Sequence, residues 1–296
     1  MKISATTYFR NAIQLDYPFI ESIKSLIDWV DEYIVVVGDS TDGTREAVEA
    51  LNHEKIKIVD TTWDMSLRKG GKVFAQQADI GTKHATGDWV IHLQADQVFH
   101  EKDMPTLKAA LEKYHGDRET EGLLLPFLNF HGCYSYLHTG CTSYRYEAKA
   151  FKNTGNIRAY RDSQGFRKYS HDHPDKGEKL RVAKVNVSVY HYAYTRPPKV
   201  QRQKNKALET FFHDDDYLKK TYDNKAEADY NEIDKLELFT GTHPAAMEER
   251  IKNQNRVFRY DPSKQKICLR HRLLNAIEKL TGYRLGEYKN YKLLKK

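Results

Sequence analysis

The chain has 296 residues, of which 40% are hydrophobic and 30% charged, and its formal net charge is +7. This composition is typical of a folded protein with one large or two medium domains, and it excludes a disordered chain. No stretch approaches the roughly 18 consecutive apolar residues of a transmembrane helix, and the N-terminus lacks a secretion-signal pattern, so we expect a cytoplasmic protein.

The first hundred residues alternate between strand and helix patterns. Apolar or β-branched runs predict strands over residues 2–7, 33–37, 56–59 and 89–93, and helical or capping patterns predict helices over 18–30, 45–51 and 72–85. Such alternation predicts a right-handed α/β sheet, mostly parallel and flanked by helices, with its ligand crevice at the C-terminal ends of the strands. Three acids follow those ends: Asp39, Asp60 and Asp96.

The second half of the chain has a different pattern. Runs of β type lie at 122–130, 148–152, 157–160 and 180–194, a helix is predicted over 200–212, and residues 213–235 are highly charged. We expect this mixed α+β half to share one sheet with the first half, because no low-complexity linker separates the two.

The positive charge is concentrated near the C-terminus. From residue 264 onward, seven Lys and three Arg stand against two Glu, a net charge of +8. This distribution argues against a nucleic-acid-binding protein, whose basic residues should line a whole face of the fold. Leucine and isoleucine recur there at helical spacing between Leu269 and Leu280, which predicts a basic helix that either packs on its own domain or lies on anionic lipid.

The segment VVVGDSTDGT, residues 35–44, joins a predicted strand to a predicted helix. A carboxylate at such a turn can accept hydrogen bonds from the imide or the ribose hydroxyls of a nucleoside, which makes Asp39 a candidate nucleotide ligand. Alternatively, Asp39 and Asp42 cap the following helix. The residues alone leave both readings open.

The segment GDWVIHLQAD, residues 87–96, ends a predicted strand on an acid. Strand alternation places Gln94 and Asp96 on the same face. A carboxylate and an amide oxygen at this spacing suit a hard divalent cation, which in turn neutralises a diphosphate. A single Asp at the end of a strand is, however, also a common turn residue.

Taken together, these motifs resemble the family 2 glycosyltransferases of the GT-A fold. Over residues 1–100 the resemblance is carried by Thr6, Thr7 and Asn11, by Gly38 to Thr44, and by Gly87 to Asp96. The second half is similar to a bacterial branch of that family through Arg145-Tyr146-Glu147, Gln164-Gly165-Phe166-Arg167, His191-Tyr192, Arg196-Pro197-Pro198 and Gly241-Thr242-His243-Pro244.

The resemblance implies a specific reaction and specific partners. A sugar would pass from a nucleotide-diphosphate sugar donor to a hydroxyl of a glycan or lipid-linked acceptor, with inversion and with help from a divalent metal, in the synthesis of cell-envelope or surface glycans. Residues 1–100 would bind the donor and residues 101–262 the acceptor, and the basic helical segment 263–296 would contact the inner face of a membrane peripherally. No nucleic-acid partner is expected.

The chain departs from the family pattern at two places. Asp96 corresponds to the second acid of the D-x-D metal motif, and Gln94 stands in place of the first. An amide oxygen carries no charge, so Mn²⁺ or Mg²⁺ would be held weakly, or cations such as Arg68, Lys69 and Lys72 would neutralise part of the diphosphate. In the nucleotide turn, Val37-Gly38 replaces the usual acid pair.

The resemblance also assigns roles to single residues. Asp96 and His191 would bind the metal, and either Asp162 or Glu147 would be the base that takes the acceptor proton. Either acid could instead be a loop acid paired with Arg158 or Arg145. The residues implied in donor binding are Thr7, Asp39, Asp60, Arg68, Lys72 and Gln94.

Two other classes of protein stay open. A nucleotidyltransferase can have a similar sheet but releases pyrophosphate. A catalytically silent protein that binds sugar nucleotides or glycans would account for the missing acid of the metal motif.

Overall fold

A computed structural model describes residues 1–223, 226–231, 233–254, 257–261, 263 and 267–295. Its strands are Ile3–Phe9 (β1), Glu32–Val37 (β2), Ile56–Asp60 (β3), Trp89–His92 (β4), Gln97–Phe99 (β5), Gly122–His131 (β6), Tyr136–His138 (β7), Tyr146–Lys152 (β8), Ile157–Ala159 (β9), Phe166–Lys168 (β10), Glu178–Lys184 (β11), Val189–Tyr194 (β12), Leu236–Leu238 (β13) and Tyr291–Leu293 (β14). Its helices are Phe19–Lys24 (α1), Thr44–Glu49 (α2), Lys72–His84 (α3), Met104–His115 (α4), Pro198–Glu209 (α5), Asp215–Tyr222 (α6), Glu248–Lys252 (α7) and Leu269–Thr281 (α8).

The strands form one large sheet with the order β3-β2-β1-β4-β8-β6-β11-β10-β9. The first four strands in this order are parallel, with Thr6 of β1 opposite Ile34 of β2 and His92 of β4. Strand β8 then runs antiparallel to both β4 and β6. The predicted α/β class, with a parallel sheet flanked by helices and a mixed second half, is confirmed.

Both faces of the sheet are covered, as the continuous β-branched run of β2 predicts. Val35 and Val37 point into a core that also contains residues of α1 and α4, and Ile34 and Val36 point into a second core with Ala78 of α3. Among the described residues, none of the helices combines the length and the apolar composition that crossing a bilayer requires. Cys133, Cys141 and Cys268 are free thiols.

Two predicted elements have different bounds in the structure. The predicted strand 180–194 is divided into β11 and β12, which pair with β6 in succession. Val182 lies opposite Gly122 and Val189 opposite Phe127, so β12 reaches its position with two residues more than β6 uses. Those residues break the ladder. The predicted helix 18–30 is divided into α1 and a 3-10 turn, Ile27–Trp29.

Strand β12 brings the second half of the chain to the end of β4. It pairs parallel with β6 and antiparallel with β5, which places His191 opposite Gln97. The backbone N–H of Tyr192 donates to the carbonyl oxygen of Asp96 at 2.8 Å. The acid at the end of β4 and the histidine of β12 are therefore neighbours, although 95 residues separate them in sequence.

Candidate active site

A cavity of about 790 Å³ lies at the C-terminal ends of β1 and β4. This volume is within the range of about 300–1,000 Å³ that is typical of ligand pockets. Its wall is built from segments far apart in sequence, including the turn after β4, strand β8, the loop between β9 and β10, helix α5 and residues 288–291. The cavity therefore lies where the ligand crevice of an α/β sheet is expected.

Asp96, His191, Arg196 and Lys204 form a buried group beside this cavity, here called the Asp96 cluster. The ammonium of Lys204 donates to Oδ2 of Asp96 at 3.1 Å, and the guanidinium of Arg196 lies 3.8 Å from the same oxygen. Nε2 of His191 lies 3.5 Å from Oδ1 of Asp96. Burial by itself would raise the pKa of Asp96, but Lys204, His191 and Arg196 hold that pKa well below its usual range.

The segment that follows β12 positions both cations of the Asp96 cluster. Arg196 donates to the carbonyl oxygens of Ala193 at 2.7 Å and Leu15 at 2.8 Å, which fixes the chain before Pro197 and Pro198 begin α5. Lys204 follows on the inner face of α5, and burial lowers its pKa to about 8. The ring of Tyr17 packs against both cations, 4.5 Å from Arg196 and 5.0 Å from Lys204.

Side chains of β6 and the turn before β8 orient the ring of His191. Its Nδ1 lies 2.9 Å from Oδ1 of Asn129 and 3.2 Å from the hydroxyl of Tyr144. Because the amide oxygen of Asn129 can only accept, Nδ1 carries the hydrogen of that bond. Nε2 is thereby directed at Asp96.

The Asp96 cluster does not fit a resident divalent cation. Oε1 of Gln94 accepts from the side-chain amide of Gln97 at 3.0 Å, and Oδ2 of Asp96 accepts from Lys204. Within the described part of the chain, no three His, Cys, Asp or Glu side chains are grouped so that they could hold a metal ion. A divalent cation prefers charged oxygen ligands, and here it would lie beside an ammonium. The metal expected at Asp96 and His191 remains a prediction.

Asp162 lies in the cavity wall, in the loop between β9 and β10. Arg161 and Ser163 on either side have φ of 56° and 67°, a left-handed conformation that costs roughly 1–2 kcal/mol per residue. Gly71 packs against this loop so closely that a Cβ there would lie 2.7 Å from Cβ of Asp162. Burial raises the pKa of Asp162, and its Oδ1 has no hydrogen-bond partner among the described residues.

Glu147, the other candidate base, also lines the cavity, but it has a partner. Its Oε1 lies 3.3 Å from the ammonium of Lys149, which is completely buried. Arg145, the alternative partner considered from the sequence, instead binds Glu287 at 2.7 Å. Of the two acids, Asp162 is the one without an ion pair of its own in the described chain.

The turn after β2 separates the two roles considered for its acids. Asp42 ties the turn to the loop after β1, since it accepts from the N–H groups of Gln14 at 2.7 Å and of Thr44, the first residue of α2, at 3.1 Å, while Gly43 is the N-cap residue of that helix. Asp39 lies 3.0 Å from Arg10, whose side chain lines the cavity. It also accepts from the backbone N–H of Trp63 at 3.2 Å, so it lies at the rim of the cavity.

Trp63 accounts for the glycine in this turn. A Cβ at Gly38 would lie 2.4 Å from Nε1 of Trp63, so the indole takes the space that a side chain of residue 38 would need. The same Nε1 is buried and has no acceptor among the described residues.

The structure brings half of the expected site residues to the cavity. Gln94, Asp96, Glu147, Asp162 and His191 line it. The others lie outside its lining: Thr7 buried in β1, Asp39 at the rim, Asp60 paired with Arg45 at 2.7 Å, Arg68 paired with Asp215 at 2.6 Å, and Lys72 exposed at the start of α3.

Sequence analysis missed Lys204 and Tyr17, and it did not assign a role to Arg196. The Arg-Pro-Pro motif before α5 was a usable signal for Arg196. No sequence signal points to Lys204, because its position depends on how α5 packs across the end of β12.

Residues 18–118 match the family model described as Glycosyl transferase family 2. The match covers about a third of the chain and includes the turn of Asp39 and the turn of Asp96. It supports the prediction of a glycosyltransferase enzyme. It ends before Asp162, His191 and Lys204. No curated protein matches the chain.

Several solved structures resemble the chain distantly. TarS from S. aureus is 16% identical with a TM-score of 0.40, and the match covers 70% of this chain and 39% of the TarS chain. The mannosyltransferase PcManGT from Pyrobaculum calidifontis, in complex with GDP-Man and Mn²⁺, is 18% identical with a TM-score of 0.42 and coverages of 69% and 61%. Glucosyl-3-phosphoglycerate synthase from Mycobacterium tuberculosis, in complex with Mn²⁺, UDP and glucosyl-3-phosphoglycerate, is 16% identical with a TM-score of 0.37 and coverages of 72% and 81%.

Proposed function

We propose that this protein transfers a sugar from a nucleotide-diphosphate sugar to an acceptor hydroxyl, with inversion at the anomeric carbon. The observation that carries the proposal is the content of one cavity. Its wall contains Lys204, which a second buried cation, Arg196, backs at Asp96, and, separately, an acid whose pKa is raised by burial and whose Oδ1 lacks a partner in the described chain. Anion binding and proton abstraction are the two tasks of such a transfer.

The donor would bind along the ends of β1 and β4. Lys204, in the cavity wall, would donate a charge-assisted hydrogen bond to its diphosphate, and Arg196 behind it adds positive charge. Arg10 lies 5.8 Å above the ring of Trp63, and Asp39 bonds to both, so the three form a polar and aromatic surface for a nucleoside at the rim. Asp39 can accept from a base imide or a ribose hydroxyl.

Asp162 would act as the general base. The acceptor oxygen attacks the anomeric carbon from the face opposite the nucleoside diphosphate and forms the new glycosidic bond. Its proton passes to the carboxylate of Asp162. The bond to the diphosphate breaks, and the departing oxygen keeps the electron pair, with its charge stabilised by Lys204 and Arg196.

Features of the C-terminal helix α8 support the proposal that the acceptor is linked to lipid at an anionic membrane. Its inner face packs on its own domain, where Asn275 accepts from the N–H of Cys141 at 2.8 Å. Its outer face exposes Leu269, Leu273 and Leu280, which are 83%, 62% and 85% exposed, and it also presents three cations: Arg270, Arg272 and Lys279. An apolar stripe flanked by cations is suited to lipid headgroups of negative charge.

That helix is connected to the cavity. Tyr288 and Tyr291, a few residues beyond α8, line the cavity wall. We propose that a membrane bound by α8 lies close enough to the cavity for a lipid-linked acceptor to enter. We propose synthesis of envelope or surface glycans on this basis.

A product assay tests the proposed reaction. UDP-, GDP- and dTDP-sugars are incubated with the protein and a lipid extract, and the released nucleotide is identified by chromatography. Acceptor-dependent release of a nucleoside diphosphate is expected. Release of pyrophosphate would indicate a nucleotidyltransferase. Binding without any turnover would indicate a silent binding protein.

A further inference from the structure

We infer that Lys204 takes the place of a divalent cation in this cavity and binds the diphosphate of the nucleotide directly. The identity of the ligand, a nucleoside diphosphate or its sugar, rests on the proposed function. The replacement of the metal by an ammonium rests on the geometry of the Asp96 cluster.

The Asp96 cluster brings two cations to one oxygen of a single carboxylate. Lys204 lies 3.1 Å and Arg196 lies 3.8 Å from Oδ2 of Asp96. Two other carboxylates, in the wall and at the rim of the cavity, lie against other cations: Glu147 against Lys149 at 3.3 Å, and Asp39 against Arg10 at 3.0 Å. Because Lys204 shares its carboxylate with a second cation, a phosphate oxygen beside Lys204 would add a charge-assisted bond to its ammonium.

Lys204 is also placed to reach that anion. Its ammonium, on a side chain that is only 8% exposed, donates to Oδ2 of Asp96 and to the carbonyl oxygen of Ala193, both at 3.1 Å. An ammonium has three donors, and the described residues provide no acceptor for the third. Because Lys204 is part of the cavity wall, a phosphate oxygen in the cavity can accept that third bond.

The side chain at position 94 also favours an ammonium over a metal ion at Asp96. In place of an acid, residue 94 has an amide whose oxygen is already bonded to Gln97, so the motif offers one carboxylate instead of two. A second acid would be needed to hold a divalent cation firmly, and it would compete for Lys204. The loss of the acid at 94 and the presence of an ammonium at Asp96 thus favour the same mode of diphosphate binding.

Calorimetric titration of UDP and GDP, in EDTA and in Mn²⁺, tests this inference. We expect the wild-type protein to bind one of them in EDTA, with a dissociation constant within about threefold of that in Mn²⁺. Lys204→Met should weaken binding in EDTA by roughly tenfold or more, the value of a lost charge-assisted bond. Lys206→Met is the matched control, since Lys206 lies on the same helix but pairs with Asp223 at 3.2 Å on the surface, and it should bind as the wild type does.

A second variant keeps the buried charges intact. Gln94→Asp restores the second acid of the motif, and we expect Mn²⁺ to tighten nucleotide binding to this variant by roughly tenfold while the wild type does not respond. Wild-type binding that requires Mn²⁺ would overturn this inference alone, as would a folded Lys204→Met protein that binds normally in EDTA. Absence of binding under both conditions would overturn the proposed function with it.

Discussion

The ammonium of Lys204 and the carboxylate of Asp96 form an ion pair of 3.1 Å in which both side chains are more than nine-tenths buried. The pair connects the turn after β4 to a helix that begins about a hundred residues later. Asp96 thereby holds a cation in the wall of the cavity.

Removing the charge of Asp96 should destabilise the fold, because it leaves Lys204 and Arg196 buried without their carboxylate. We expect Asp96→Asn to lower the free energy of unfolding by about 3 kcal/mol or more, as measured by urea denaturation. Asp39→Asn is the control, because the ion pair of Asp39 with Arg10 is partly exposed and its loss should cost less than about 1 kcal/mol. Equal stability of the two variants would contradict the structural role of Asp96.

Asp162→Asn should reduce the rate of sugar transfer by about 10²–10⁴ and leave the affinity for the nucleotide unchanged, since the carboxylate is needed only for proton abstraction. For the wild type, kcat/KM should fall as pH decreases through the raised pKa of Asp162, because the protonated acid cannot accept a proton.

Glu147→Gln is the companion experiment to the Asp162 variant. If Glu147→Gln abolishes the fall of kcat/KM at low pH while Asp162→Asn retains it, the base is Glu147 and the assignment to Asp162 is wrong.

Asp79 offers a pH-dependent test of stability. It lies in α3, where it accepts from the N–H of Ala159 at 2.7 Å, and burial raises its pKa to about 6. The folded protein therefore binds this proton more tightly than the unfolded chain does. The contribution of Asp79 to stability is largest below the unfolded pKa near 4, and it is lost as pH rises to about 6.

Asp79→Asn should remove the loss of stability at higher pH and still accept the hydrogen bond from the N–H of Ala159. We expect it to increase the free energy of unfolding at pH 7 by about 1 to 3 kcal/mol and to change it little at about pH 3, below the unfolded pKa. Thermal denaturation at the two pH values measures the effect. A variant that is less stable than the wild type at pH 7 would show that Asp79 is better accommodated as an anion than burial alone indicates.

The outer face of α8 should bind anionic vesicles. We expect the protein to float with vesicles that contain phosphatidylglycerol and not with neutral ones, and to detach at high salt. Leu273→Glu should reduce binding by roughly tenfold because it places an acid in the apolar stripe. Leu238→Glu is the matched control, since Leu238 is 64% exposed on β13 and is not part of the apolar stripe of this helix. If the wild type forms dimers and does not bind the vesicles, the outer face of α8 is an interface between two copies of this chain.

The parallel part of the fold could be predicted because its strands are continuous apolar runs and its turns carry Gly, Asp and Ser in sequence. The candidate site could be predicted where residues follow strand ends, as Asp96 does. The same reasoning does not place the cations: Arg68, expected at the diphosphate, pairs with Asp215 outside the cavity. Lys204 reaches Asp96 through the packing of α5 across β12, which is a tertiary relationship that local sequence does not encode.

Nucleotide-sugar binding in the cavity at Asp96 is tested most directly by the midpoint of thermal unfolding in the presence of nucleotide sugars, each in EDTA and in Mn²⁺. A ligand at 100 times its dissociation constant stabilises the folded state by about 2.7 kcal/mol. We expect one of the UDP-, GDP- or dTDP-sugars to raise the midpoint, and to do so in EDTA. If none of them raises it with or without Mn²⁺, the cavity at Asp96 is not a nucleotide-sugar site.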